Sequence, residues 1–334
     1  MKNFMVSCDW GTTKFRLCLV NRDDFTVDRE IITKDGILGL FNKWKEETSQ
    51  SGITLKDYYL GVLRTHLDKL LEDAAAETRS LSVVISGMAS SKAGIAELPY
   101  ATLPFSLDGK DAVTKCIVPL QNFPFEIILI SGVKAHDDVM RGEETQMVGI
   151  ANLESTLLTA DEAICIFPGT HSKHIRISKG NIASFKTYLT GELFQLLSTH
   201  SVLQGAVAFQ DNSAVLDERN MQAFYNGIAQ SNKESNLLNK LFTVRTNELM
   251  GMLSRQENYF YLSGLLIGYE IRALQQEKTC PVFLCSGNNM FHLYRLAIEK
   301  LWLGVPVKNI APDLMDRAAI SGQLKILQNH HPLK

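Results

Sequence analysis

Residues 7–16 read "SCDWGTTKFR". A short apolar run, 4–8, ends in Asp9 and Trp10. A glycine and two threonines follow, and apolar residues resume at Phe15. Read outward, this is strand, turn, strand, a buried hairpin whose bend carries a carboxylate and a row of hydrogen-bond donors. Gly11 lets the backbone approach a ligand closely or take a positive φ. Successive N–H groups in such a bend form an anion-binding concavity. Thr12 and Thr13 add hydroxyls, and Lys14 and Arg16 add positive charge. Asp9 would repel a phosphate. Its natural use beside one is to hold Mg²⁺, which takes few carboxylates and keeps several waters. An Asp-x-Gly turn that hydrogen-bonds its own backbone accounts for the same residues without any ligand.

The pattern returns in the second half. Residues 163–177 read strand, then Pro-Gly-Thr-His-Ser-Lys (168–173), then strand. Gly169, Thr170, Ser172 and Lys173 supply small residues, hydroxyls and a cation suited to a second phosphate contact. A polar hairpin loop is again the plain alternative. With 334 residues, the length suits two domains. The recurrence places them at 1–150 and 151–334.

Between these landmarks the chain alternates strand-like and helix-like stretches. Strands are expected at 82–85, 126–130, 182–186 and 282–285. The clearest helix runs over 55–76, where Leu60, Leu63, Leu67, Leu70, Leu71 and Ala74 recur at three- and four-residue steps. Further helices are expected at 138–153, 191–203, 236–253, 262–276 and 290–301. The mixture predicts an α/β fold with mixed sheets.

Hydrophobic residues make up 45% of the chain, enough for a real core, and the net charge is −2. That balance argues against nucleic acid and anionic membranes as partners. No run approaches a membrane span. The first residues do not read as a signal peptide, since Asp9 interrupts the apolar stretch too early. The six cysteines show no CxxC pair and no metal-ligand spacing, so buried reduced thiols in a cytoplasmic protein are expected.

Three more segments carry chemistry. Residues 281–301 read strand, Ser-Gly-Asn-Asn turn, helix. A small-residue loop at a helix start favours nucleotide contacts, although any strand–helix junction can look this way. In 131–149, Asp137 and Asp138 precede a helical stretch bearing Arg141, Glu143 and Glu144. The functional reading is a carboxylate base with Arg141 gripping an anionic substrate, and helix capping is the alternative. In 83–100 a strand leads into a loop with Ser90, Ser91, Glu97 and Tyr100, where α/β proteins place ligands and where a polyol could be bound. An ordinary solvated loop fits as well.

Taken in order, these segments resemble the sugar kinase–actin–heat-shock ATPase superfamily. The stretches "DWGTTKFR", "SGMASSKAGIAELPY", "DVMRGEETQ", "PGTHSKH", "FKTYLTGELFQLLSTHSVL" and "LSGLLIGYE" together are similar to the 2-dehydro-3-deoxygalactonokinase family. The resemblance implies an actin-like ATPase fold (ribonuclease H-like) of two related domains closing over a cleft. It implies ATP-dependent phosphorylation of the terminal hydroxyl of 2-dehydro-3-deoxy-D-galactonate, a small sugar acid. Asp9 would be the magnesium-associated carboxylate. Gly11, Thr12, Thr13, Arg16, Gly169, Thr170, Ser172 and Lys173 would face the phosphates, and Gly287 and Asn288 the adenosine. Ser90, Glu97, Tyr100 and Arg141 would bind the sugar acid in the first domain. Asp138 lies at the distance before the second bend where sugar kinases of the superfamily carry their catalytic Asp, and Asp137 is adjacent. His174 departs from the family pattern, where a Trp is expected.

Rival readings are a kinase for an epimeric sugar acid such as 2-dehydro-3-deoxygluconate, a non-catalytic nucleotide-binding protein, and a metal-dependent hydrolase using His136, Asp137 and Asp138. The sequence leaves a homodimer open.

Overall fold

The structure is a computed structural model that describes residues 4–47, 52–72, 81–120, 123–208, 216–231, 236–276, 280–286, 288–301, 304 and 306–331. The chain divides into two compact units. One comprises Met1–Asp161, Ile177–Ser184 and Asp313–Lys334; the other comprises Glu162–Arg176 and Phe185–Pro312. A linear boundary at 150 does not capture this interleaving, because the last helix returns to the first unit.

The first unit opens with β1 (Phe4–Trp10), β2 (Phe15–Asn21) and β3 (Val27–Thr33), an antiparallel meander. Helices α1 (Ile37–Glu47) and α2 (Leu55–Leu70) lead to β4 (Ser82–Gly87), which pairs parallel with β1. Short strands β5 (Ala101–Thr102), β6 (Phe105–Ser106) and β7 (Thr114–Ile117) precede β8 (Glu126–Ile130), parallel to β4. The sheet order is β3-β2-β1-β4-β8-β7. A small hairpin, β9 (Val133–Lys134) and β10 (Val139–Met140), comes before α3 (Glu143–Leu153) and α4 (Thr156–Thr159). The apolar alternation of β1 and β4 faces Leu60, Leu63, Leu67 and Leu70 of α2 in one core. The leucine periodicity in the sequence records this face. Trp10 and Tyr59 are fully buried there and meet edge to face, with ring centroids 5.6 Å apart.

The second unit opens the same way, with β11 (Glu162–Phe167), β12 (Ser172–Ser178) and β13 (Asn181–Tyr188). Helices α5 (Thr190–His200), α6 (Glu218–Ser231), α7 (Leu237–Leu249) and α8 (Arg255–Arg272) follow. Next come β14 (Val282–Leu284), parallel to β11, then α9 (Asn288–Leu301) and β15 (Val307–Asn309), parallel to β14. The strand order β13-β12-β11-β14-β15 repeats that of β3-β2-β1-β4-β8. Helices α6 and α8 touch backbone to backbone. A Cβ on Gly264 would lie 2.1 Å from the Phe224 carbonyl, and one on Gly227 would lie 2.2 Å from the Tyr261 carbonyl. The tip of the β12–β13 hairpin, 177–184, belongs to the first unit, where Asn181 and Ile182 pair with Ser106 and Phe105.

Helix α10 (Pro312–His330) completes the first unit. It crosses α3 at glycines: a Cβ on Gly149 would sit 1.8 Å from the Ala318 carbonyl, and one on Gly322 would sit 1.8 Å from that of Thr145. The six cysteines are unpaired; five are buried, and Cys116 on β7 is exposed. Among the described residues, no helix is long and apolar enough to cross a membrane.

Candidate active site

In the first unit the parallel strands β1, β4 and β8 end together, the place where open α/β sheets bind ligands. Asp9 lies at the end of β1, in register with Arg16 across the hairpin and with Ser86 on β4. The bend 11–14 is closed by the Gly11 N–H donating to the Lys14 carbonyl (2.9 Å). The first N–H groups of α1, from Ile37 and Leu38, donate to the carbonyls of Gly11 and Thr12. The bend's carbonyls are thus held by the helix. Gly11 does not take a left-handed φ, and a Cβ there would meet the Lys14 carbonyl at an ordinary 3.5 Å.

A glycine under conformational demand is Gly87, at the end of β4. Its φ is +91°, and a Cβ would lie 2.6 Å from the Trp10 carbonyl and 3.4 Å from Asp9 Oδ1. Gln323, fully buried on α10, donates its amide to the Cys8 carbonyl (2.8 Å) and Ser86 Oγ (2.9 Å), tying the ends of β1 and β4 together.

The carboxylate that bears on Asp9 is Glu143, the first residue of α3. Burial pushes Asp9 up to about 6, and the charge of Glu143 adds to the shift; Arg16 and a hydrogen bond from Gln146 oppose it. The neighbouring Glu144 is buried, accepts the Gly142 N–H (2.8 Å) and the Thr145 hydroxyl (3.0 Å), and is pushed up to about 7 by burial and then by Glu143. Among the described residues no group of three or more His, Cys, Asp or Glu is placed to hold a metal ion by itself. Asp9 with the Glu143 charge beside it nonetheless suits Mg²⁺, which needs only one or two carboxylates and takes its other ligands from water and phosphate.

The helix expected from Asp138 begins instead at Glu143. Residues 133–140 form the β9–β10 hairpin, and Gly142, at φ +115°, breaks the chain into the helix. Asp138 is half-buried in the hairpin bend, its Oδ1 accepting the Val139 N–H at 2.7 Å; His136 and Asp137 are exposed.

Three of the expected sugar-acid residues do meet. Arg141 Nη1 donates to both the carbonyl and the hydroxyl oxygen of Ser90, each at 2.7 Å, and its guanidinium lies 4.1 Å from the centre of the Tyr100 ring. Arg141 Nε is buried without a hydrogen-bond partner among the described residues. Glu97 is exposed on the same loop, and no hydrogen bond joins it to them. Arg16 is already engaged, by Glu30 (2.7 Å) and the Asp316 carbonyl (2.8 Å).

In the second unit, Gly169 and Thr170 are exposed in the bend between β11 and β12, and a Cβ on Gly169 would meet nothing within 4 Å. The first turn of α5 presses on this bend. The Glu192 N–H donates to the Thr170 carbonyl (2.9 Å), and a Cβ on Gly191 would lie 2.4 Å from the Gly169 carbonyl. Ser172 is fully buried, and its hydroxyl is spent on Glu270, so it does not present that hydroxyl to a phosphate. Lys173 is buried with Nζ on the His171 carbonyl (3.3 Å). Gly287 lies outside the described residues; Asn288 begins α9. Glu143 and Gln146 fall within "DVMRGEETQ" and Glu270 ends "LSGLLIGYE", but sequence reasoning gave none of the three a role.

Two sheets of the same order, each opening with a polar bend after its first strand, define an α/β protein of the actin-like ATPase class. A model of the family described as 2-keto-3-deoxy-galactonokinase matches residues 9–326. The chain belongs to that family. It is 30% identical over 331 residues, covering 97% of each chain, to a Rhizobium meliloti (strain 1021) protein described as "Probable 2-dehydro-3-deoxygalactonokinase DgoK1". It is 29% identical over 323 residues, 94% of this chain and 95% of the other, to the 2-dehydro-3-deoxygalactonokinase of Escherichia coli (strain K12). A crystal structure described as a "putative 2-dehydro-3-deoxygalactonokinase protein" from Sinorhizobium meliloti superimposes with a TM-score of 0.78 at 27% identity, over 99% of this chain and 98% of that one.

Proposed function

We propose that the protein transfers the γ-phosphoryl group of ATP to the terminal hydroxyl of 2-dehydro-3-deoxy-D-galactonate, in the cytoplasm. The observation that carries this reading is the recurrence of one strand–bend–strand unit at 4–21 and 162–178 in a chain of this family.

In phosphoryl transfer a protein mainly positions reactants and stabilises spread negative charge. The bends 11–14 and 169–173 would supply backbone N–H groups and hydroxyls to the phosphates, with Lys173 as the nearby cation. Asp9 would hold Mg²⁺, which supplies charge neutralisation at the phosphate oxygens. Arg141, oriented by Ser90 and Tyr100, would bind the sugar acid's carboxylate. Gly287 and Asn288 would face the adenosine. Asp138 is the base that the resemblance points to. Glu143 is a second reading, favoured by its charge on Asp9 and its place at the start of α3. Either would take the proton of the attacking hydroxyl, a role worth ~10²–10⁴ in rate.

ADP release measured with a panel of sugar acids tests the substrate, and 2-dehydro-3-deoxygluconate is the decisive competitor. Equal kcat/KM for both epimers would remove the galactonate assignment. Asp138→Asn and Glu143→Gln assayed side by side separate the bases. The true base loses ~10²–10⁴ in kcat with ATP affinity kept, and the other variant stays within a few-fold.

A further inference from the structure

Behind the second bend lies a buried charged centre that the reaction as described does not use. Glu270, on α8, is 3% exposed. Its Oε1 accepts the Ser172 hydroxyl at 2.6 Å and His174 Nε2 at 2.8 Å. Its Oε2 accepts the Tyr294 hydroxyl at 2.8 Å and the Thr190 hydroxyl. The donors come from β12, from the first residue of α5 and from α9. Ser172 and Tyr294 are fully buried and His174 nearly so. Dehydrating a carboxylate is costly unless hydrogen bonds replace its water, and apolar packing would fill the same volume at lower cost. Here both oxygens are fully used. Burial alone would raise the Glu270 carboxyl, but the hydrogen bonds led by His174 hold it below its ordinary range.

Two of the four donors sit next to something the bend depends on. Ser172 ends the bend itself. Thr190 precedes Gly191, whose Cα leaves no room for a Cβ against the Gly169 carbonyl, and Glu192, whose N–H holds the Thr170 carbonyl. Tyr294 stands on the helix that begins at Asn288. We propose that Glu270 is the positioning residue of the second phosphate bend: by holding β12, the start of α5 and α9 on one carboxylate, it fixes the 169–173 backbone in the geometry that receives nucleotide phosphates. This rests on the reading that the bend binds phosphate.

The test is steady-state kinetics on the full chain, with ADP and adenosine affinities measured by calorimetry. Glu270→Gln and Tyr294→Phe should each raise the KM for ATP about 5–20-fold, weaken ADP in step, and leave adenosine affinity and the sugar-acid KM within two-fold. Glu270→Asp, which keeps the charge, should recover part of the loss. Variants that lower the melting temperature with the ATP and sugar-acid KM values unmoved, or moved equally, would overturn the proposal and leave a purely structural centre. If Glu270→Gln does not fold, Tyr294→Phe and Thr190→Val decide by the same criteria. Lys173→Ala is the control. If it weakens ATP while the network variants do not, Glu270 alone loses its role. If it too leaves ATP untouched, the phosphate reading of the bend fails first, and the proposal with it.

Discussion

Two carboxyls, Glu144 at the start of α3 and Asp9 at the end of β1, are both pushed upward by burial. Glu144 has an ordinary value near 4.5 and is pushed to about 7. Its folded form therefore holds a proton that the unfolded chain has lost. The stability this gives is present in the acid range and disappears as pH rises through about 4.5 to 7, after which the fold carries a buried charge. Glu144→Gln, which keeps an acceptor for the Gly142 N–H, should flatten the fall of melting temperature between pH 5 and pH 8 and stabilise the protein at pH 8, by an amount on the order of 1–3 kcal/mol. A melting curve at pH 8 no higher than the parent's would show that Glu144 is solvated. Asp9, in the function proposed, holds Mg²⁺. Asp9→Asn removes the charge while keeping the shape, and the expected result is a loss of ~10² or more in kcat together with a displaced magnesium half-activation point, read from a metal titration of activity. An unaltered metal profile would return Asp9 to a plain turn residue. Asp9 and its bend were legible from ten residues of sequence, because a carboxylate, a glycine and two hydroxyls interrupt an otherwise buried hairpin. Glu270 was not. Its partners Ser172, His174 and Thr190 stand 98, 96 and 80 positions away, and nothing local marks a glutamate on an apolar helix as a hub.

Among the elements, hairpins read better than helix starts. β1, β2, β8 and β11 fall within two residues of expectation, because buried strands are short apolar runs bounded by turn residues. The start of α3 was displaced by five residues. Asp137 and Asp138 look like caps, yet Ala135 hydrogen-bonds the Asp138 carbonyl and closes a bend there, while Gly142 makes the break. Short strands such as β9 and β10 have too few residues to show a period. Helices α6 and α10 were not expected either, although Phe224 and Ile228 of α6 and Ile320, Leu324, Ile326 and Leu327 of α10 are buried; each also meets its partner helix at glycines. The α3–α10 crossing is the sharper case. Gly322→Ala forces a methyl to within 1.8 Å of the Thr145 carbonyl, so the helices must part. A loss of about 2–4 kcal/mol in urea unfolding is expected. Because Gln323 follows, the ends of β1 and β4 lose their tie, and activity should fall further than stability alone explains. A variant with parental unfolding behaviour would mean the crossing is looser than described.

At the scale of the molecule, the two-part architecture was readable from the recurrence of one motif, and the strand orders bear out the α/β fold. The interleaving was not readable, since it depends on where the last helix packs. Removing 312–334 should therefore damage the first unit, which loses Gln323 and the glycine contacts on α3, more than the second, whose core draws on 164–307. Limited proteolysis of the truncated chain should cut first within 1–161, and early cleavage in 185–312 would contradict this.

The return of α10 also sets a timetable. On the ribosome, residues 185–312 emerge and can condense while the first unit still lacks its closing helix. The segment synthesised first is thus finished last, since its closing helix, residues 312–330, follows the whole of the second unit in the chain. For such a layout, emergence of that helix rather than of the N-terminal sheet is the event that completes the first unit.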